Sequence, residues 1–283
     1  MKVKYNFLPY KTPGGERKER YMIMFRKLGI QLYTIRDFMK DEKSLDESFA
    51  KLAKLGYSEC HTAGNAVPAE KFGELAKKNG LSIIGTHYDY GKIISDPEST
   101  IRLHEIWGTK NIGIGGMPGE ARVSYDGLMK FIDAFNRAAE TYGKSGYKLT
   151  YHNHSFEFVR IKDNKTIMDY LYENLDPENV TFVLDTCWVA HGGGDVRHWM
   201  EKLAGRIDIL HLKDLMVYND ASGKVAHTMT EIGNGNLWWD GIIETAEKIG
   251  VKHYIVEQDA NWSKNDPFEA ARVSADYLKK YMN

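Results

Sequence analysis

From Leu28 onward the chain alternates between short apolar runs and longer stretches whose apolar residues recur at helical spacing. Runs compatible with buried strands occupy Leu28–Tyr33, Gly56–Thr62, Ser82–His87, Asn111–Gly115, Lys148–Asn153, Thr181–Asp185, Ile207–Leu212 and His253–Glu257. Between them, Leu45, Phe49, Leu52 and Leu55 mark a first helical face. Phe72, Leu75 and Ala76 mark a second; Ile101, Leu103, Ile106 and Trp107 a third; and Leu128, Phe131, Ile132, Phe135 and Ala139 a long fourth. Four more helices centre on Ile167–Leu171, Val196–Leu203, Ile242–Ile249 and Phe268–Leu278. The ends suit these elements: Ser44 and Asp266 are placed to cap helix starts, Pro267 suits a first turn, and Gly56, Gly80 and Gly250 follow helix ends.

Strand–helix units in succession imply a parallel sheet, because each parallel connection consumes a crossover helix, and eight such units close into a barrel. An open doubly wound sheet is the competitor. Against it, the first strand is followed by Thr34-Ile-Arg-Asp37 rather than by a Gly-x-Gly-x-x-Gly turn. The expected class is therefore α/β, a single (β/α)8 TIM barrel over 28–283 with an N-terminal extension over 1–27. That extension is basic, contains Pro13-Gly-Gly15, and has no apolar segment long enough for a secretory signal; it is expected to be a peripheral, poorly ordered arm.

Composition narrows the function classes. The 283 residues suffice for a sizeable core, and 42% apolar with 27% charged residues is the balance of a soluble globular protein. A formal net charge of −1 gives no electrostatic basis for binding nucleic acid or an anionic membrane. Two cysteines, Cys60 and Cys187, do not make a disulfide framework, which favours a reducing compartment and a cytoplasmic location. No apolar run approaches the roughly 18 residues of a membrane span.

Candidate chemistry collects where strands end. The second strand ends Glu59-Cys-His61, the third Gly85-Thr-His87, the sixth Leu184-Asp185, the seventh His211-Leu-Lys-Asp214 and the eighth Glu257-Gln-Asp259. The fifth ends His152-Asn-His154; alternation along a strand points both imidazoles to one face and Asn153 to the other. In a barrel these are the ends that carry the active site.

Six short motifs, in order and on the expected strands, carry a resemblance: Gly29-Ile-Gln-Leu-Tyr33, Tyr151-His-Asn-His154 with Phe156-Glu-Phe158, Leu184-Asp-Thr186, His211-Leu-Lys-Asp214, Gly233-Asn-Gly-Asn236 and Val256-Glu257. From Leu28 to its end the chain resembles the xylose isomerase-like TIM-barrel superfamily, the sugar phosphate isomerases and epimerases. The resemblance implies one divalent metal held by residues from the fifth to eighth strands, in the family usually Glu, Asp, His and Glu. Asp185, His211 and Glu257 match the last three positions. The first is where this chain departs, with His152 in place of the glutamate and Glu157 five residues further on. A set of two imidazoles and two carboxylates suits Mn²⁺ or Zn²⁺, with Co²⁺ or Fe²⁺ as alternatives, better than Mg²⁺ or Ca²⁺.

The implied activity is metal-dependent isomerisation or epimerisation of a sugar or related polyol through an enediolate and proton transfer. Glu257 is then a catalytic base, with His154 and Lys213 as candidates for the other face. The missing glutamate keeps a second activity open, a lyase, dehydratase or 3-keto-glycoside-cleaving enzyme acting on a keto-sugar or keto-inositol. His61, His87, Trp188 and Glu157 are candidate substrate contacts, and Trp238 and Trp239 are further aromatics suited to a sugar face. Lys213 and Asp214 also suit a plain structural ion pair. A neutral sugar or cyclitol is expected as substrate, since no phosphate-binding loop stands out; self-association into a homo-oligomer is left open. A metal-dependent AP endonuclease on the same barrel would need a basic groove, and has a histidine where Trp188 stands.

Overall fold

The computed structural model describes residues 25–64 and 66–282. Every expected strand forms: β1 (Leu28–Gln31), β2 (Tyr57–Ala63), β3 (Ser82–His87), β4 (Asn111–Ile114), β5 (Lys148–His152), β6 (Val180–Asp185), β7 (Ile207–Leu212) and β8 (His253–Val256). All pair in parallel, in the order β3-β2-β1-β8-β7-β6-β5-β4. The two ends of that order meet: Tyr88 N–H donates to Gly113 O at 2.6 Å and the Asn111 amide donates to Ile84 O at 2.8 Å, so the sheet closes almost completely into a (β/α)8 barrel.

The helices are α1 (Glu42–Lys54), α2 (Ala69–Lys78), α3 (Tyr90–Ser95), α4 (Pro97–Trp107), α5 (Tyr125–Gly143), α6 (Ile167–Asn174), α7 (Thr186–His191), α8 (Val196–Lys202), α9 (Trp239–Ile249) and α10 (Pro267–Leu278). The sequence pattern missed α3 and α7, each six residues long and too short to show a helical period. Alternation along the strands divides the core in two. Leu149, Tyr151, Phe182, Leu184, Leu210, Leu212, Tyr254 and Val256 face the helices, while Ile84, Val183, Ile209 and Ile255 form a separate apolar plug inside the barrel.

Some local expectations hold and others are corrected. Asp41 caps α1, accepting from Ser44 N–H at 2.8 Å, and Ser44 is the third helical residue that closes the box by accepting from Asp41 N–H at 3.1 Å. Asp266 caps α10 with Pro267 in its first turn, and Gly56, Gly80 and Gly250 take φ of +98°, +75° and +80°. The buried face of α4 is Thr100, His104 and Trp107 rather than the aliphatic set, because His104 is bonded between Thr86 Oγ1 (2.8 Å) and Thr100 O (2.7 Å). Strand β1 stops at Gln31, before a 3-10 stretch over Leu32–Phe38.

Of the arm expected over 1–27, residues 1–24 lie outside the described residues. Phe25 is buried and stacks on Tyr254 with ring centroids 4.3 Å apart, so barrel packing reaches further toward the N-terminus than the hydrophobic pattern suggests. No described helix is long and apolar enough to cross a membrane.

Candidate metal centre and active site

The period of two that builds the apolar plug also builds the site above it. Val183 is followed on the same face by Asp185, Ile209 by His211 and Lys213, Ile255 by Glu257 and Asp259, and Thr150 by His152 and His154. A cavity of about 430 Å³ opens there, lined by Tyr33, Ala63, His87, Gly115, His152, His154, Trp188, Lys213, Glu257 and Asp259.

At its floor, one donor atom from each of His152, Asp185, His211 and Glu257 lies within 4.8 Å of the other three, and all four side chains are buried. Local bonding prepares them. Asp185 Oδ1 accepts from Trp188 N–H at 2.8 Å and caps the short α7, which leaves Oδ2 without a hydrogen-bond partner. His152 Nδ1 faces the carbonyl of Gly115 at 3.3 Å, to which it can only donate, so Nε2 carries the lone pair; it too has no hydrogen-bond partner and lies 3.5 Å from Asp185 Oδ2. Asn153, on the opposite face, accepts from Asp185 N–H at 2.9 Å and ties β5 to β6. Buried polar atoms without partners are costly, and a cation relieves both at once. The donor set fits a divalent metal of the borderline class.

Lys213 sits beside this group. Its Nζ lies 2.6 Å from Asp259 Oδ2, 3.1 Å from Glu257 Oε2 and 3.5 Å from Asp185 Oδ2, with the Trp188 ring 5.1 Å away. Burial opposes its charge, but the three carboxylates outweigh burial and hold the ammonium above its usual range. The expected pair with Asp214 does not form. Asp214 instead accepts from the N–H groups of Leu215, Gly233, Gly235 and Leu237 and from Trp239 Nε1, at 2.7–3.2 Å. A Cβ on Gly235 would lie 2.3 Å from Asp214 Oδ1, so the Gly-Asn-Gly-Asn motif is the loop that wraps this carboxylate.

The remaining titratable groups divide by wall. Burial raises Glu257, but Lys213, His211 and His152 outweigh it and hold its carboxyl well below the usual range. Burial and the Glu257 charge push Asp259 up to about 6; its Oδ1 is buried and without a partner. Burial works against a charged His152, yet Asp185 and Glu257 raise its pKa; for His211 burial prevails and lowers it. Burial, together with neighbouring imidazoles, holds His61 and His87 well below the usual range and His154 down to about 3.

His87 and Trp188, the candidate substrate contacts, and His154, the candidate base, line the cavity. His61 lies beneath it, 3.1 Å from His211. Glu157 is not brought to the cavity: its oxygens accept from Tyr151 OH at 2.6 Å and His154 N–H at 2.8 Å, bracing the turn after β5. Trp239 is buried against Asp214, and Trp238 is exposed beside Arg197. Sequence reasoning did not single out Gln31 or Tyr33, and named Asp259 only as part of a strand end. For Asp259 the available signal is its place two residues beyond Glu257 on an inward-facing strand.

Comparison with known proteins agrees with this architecture. Inosose dehydratase of Mesomycoplasma hyopneumoniae strain J is 24% identical over 278 residues, covering 85% of this chain and 89% of that one. Inosose dehydratase of Geobacillus thermodenitrificans is 25% identical over 162 residues, and the alignment spans only about half of either protein, 53% of each. A crystal structure of a sugar phosphate isomerase/epimerase from Parabacteroides distasonis superposes with a TM-score of 0.76 at 24% identity, over 90% of this chain and 98% of that one. The model of the family described as xylose isomerase-like TIM barrel matches residues 49–281, and the chain belongs to that family.

Proposed function

We propose that this protein is a divalent-metal-dependent lyase that removes water from a keto-polyol, with His152, Asp185, His211 and Glu257 holding the metal. The observation that carries the reading is the one-sided distribution of the carboxyl and ammonium groups that line the cavity. Glu257, Lys213 and Asp259 stand together just past the ends of β7 and β8, while β3 and β4, across the barrel, and β5 present imidazoles and backbone. Epimerisation needs a base and an acid on opposite faces of the substrate; elimination of a proton and its neighbouring hydroxyl can be served from one face.

A divalent ion in this centre supplies Lewis-acid stabilisation of the negative charge that gathers on a carbonyl oxygen when the adjacent C–H is deprotonated. The protein's residues do the rest. Glu257 takes the proton from the carbon next to the carbonyl. The electron pair left behind forms the carbon–carbon double bond as the β-carbon–oxygen bond breaks. The departing hydroxide takes a proton from Asp259, whose carboxyl is held at about 6, near the range where it can give and regain a proton at neutral pH. Lys213 stays an ammonium and orients both carboxylates, so it is a hydrogen-bond donor rather than the base its position suggested. The names of the two curated relatives support dehydration. Expulsion of an alkoxide instead of hydroxide would make the same chemistry a 3-keto-glycoside cleavage.

The substrate reading is a neutral sugar or cyclitol. Lys213 is the cation among the lining residues, and three carboxylates already surround it, which disfavours a phosphate dianion. Epimerisation is the second reading, favoured by His154, whose Nδ1 is buried at the cavity without a partner. Mass analysis after incubating metal-loaded protein with a keto-inositol separates them. A product lighter by one water is expected; an isomer of unchanged mass would favour epimerisation, and no change with any keto-polyol would overturn both.

A further inference from the structure

Gln31, at the end of β1, is wholly buried beneath the cavity. Its amide orientation is fixed, because Oε1 accepts from Tyr33 N–H at 3.3 Å and the nitrogen must be the atom that faces the imidazoles. Nε2 lies 2.7 Å from His61 Nδ1 and 3.4 Å from His87 Nδ1. A carboxamide nitrogen has two hydrogens and no lone pair to offer, so both Nδ1 atoms accept. A neutral imidazole that accepts at Nδ1 carries its hydrogen on Nε2. His61 Nδ1 also lies 3.1 Å from His211 Nε2. Having no hydrogen to give, it shares its lone pair between two donors, and His211 must donate from Nε2. A neutral His211 then has its Nδ1 lone pair 3.0 Å from Glu257 Oε2, a contact that becomes favourable only when a proton or a metal ion joins it.

The geometry points to Gln31 as a positioning residue that sets three tautomers: it holds His61 and His87 as Nε2–H donors and, through His61, turns the Nδ1 lone pair of His211 toward Glu257 as its metal-binding atom. The His211 part rests on the proposed metal centre; the His61 and His87 part does not. The arrangement also decides between two uses of the same cluster. Nitrogens of His61, His87 and His211 approach within 4.8 Å of one another, as a second metal group would. With Nδ1 of His61 and His87 occupied by Gln31 and hydrogens on both Nε2 atoms, the group has no lone pairs for a second ion. His87 Nε2, buried and without a protein partner, instead offers an N–H to an oxygen of the bound polyol. Gly85 makes room for this packing, since a Cβ there would lie 2.9 Å from the His61 ring.

Long-range ¹H–¹⁵N spectra of ¹⁵N-histidine-labelled, metal-free protein, assigned with His61→Gln and His87→Gln variants, report these tautomers directly. Bare Nδ1 and protonated Nε2 are expected on both residues. Gln31→Glu replaces the donor by an acceptor; it should turn His61 to the Nδ1–H form and weaken Zn²⁺ binding, measured by chelator competition, by about 10–100-fold. Gln31→Met, which neither donates nor accepts, should give mixed tautomers and a smaller loss. Nδ1–H on His61 or His87 in the unsubstituted protein would overturn the inference. So would a second equivalent of Zn²⁺ that strips both Nε2 hydrogens, or a Gln31→Glu protein with unchanged tautomers and affinity. Expected tautomers with no Zn²⁺ binding at any concentration would leave the lock on His61 and His87 standing and overturn its extension to a metal-binding His211, together with the metal centre.

Discussion

At the scale of single residues, His152, Asp185 and His211 are proposed to hold the metal, Asp259 to handle a proton, and Glu257 to do both. His152→Ala removes a lone pair aimed at Asp185 and should lower metal affinity by at least about 10-fold, read by metal content after gel filtration. His154→Ala should leave metal content unchanged, since His154 is outside the four-donor cluster. If dehydration from the Glu257 wall is correct, it should cost turnover less than Asp259→Asn, which removes the proposed acid and should lower kcat by about 100-fold or more. A His154→Ala protein as dead as Asp259→Asn would favour the epimerase reading. Asp185, His211 and Glu257 were named together in the sequence through the motifs that carry the family resemblance, and the structure brings their donor atoms close to one another. Gln31 was not legible, because its role depends on which amide atom faces which ring nitrogen, and spacing carries no such information. Glu157 suited either a substrate contact or a brace for the loop after the fifth strand, and spacing could not choose; its oxygens turn to Tyr151 OH and a backbone N–H, as a brace does.

At the scale of elements, two loops hold the site in shape. The turn after β5 is braced by Glu157, whose carboxyl burial pushes from 4.5 up to about 7. Between those values the folded protein keeps a proton that the unfolded chain has released, so this group's contribution to stability falls as pH rises through that window. A Glu157→Gln protein lacks this component. Its unfolding free energy relative to the parent should therefore rise from pH 5 to pH 8, by roughly 3 kcal/mol at full effect; urea denaturation at several pH values reads it, and a flat difference would contradict it. The loop over 233–237 depends on Asp214. Asp214→Ala strands several buried N–H groups and should cost at least about 3 kcal/mol in the same assay. The sequence showed the Gly233-Asn-Gly-Asn236 motif and the aspartate but not their connection, because the partners are some twenty residues apart and join only once β7 and α9 are packed. Elements with long apolar periods, such as α5, were readable; α3 and α7 were not, since one and a half turns leave no period to detect.

At the scale of the molecule, the barrel brings four candidate ligands from four consecutive strands to one point, so the proposed metal binding would be linked to folding. A divalent ion at 100 times its Kd should add about 2.7 kcal/mol to stability and raise Tm by roughly 5 °C. EDTA should remove the shift, and Asp185→Asn should nearly abolish it. Closure of the sheet was legible from the count of strand–helix units, and the four-donor cluster lies at the carboxyl ends of the strands, where barrel chemistry is expected. The proposed reaction breaks a C–H bond beside a carbonyl and expels the neighbouring hydroxyl. A keto-inositol deuterated at that carbon tests it most directly, followed by NMR with metal-loaded protein in ordinary water. The account predicts that label and water are lost together, at a rate abolished by EDTA and restored by Mn²⁺; label retained in a dehydrated product, or label lost with no water expelled, would contradict it.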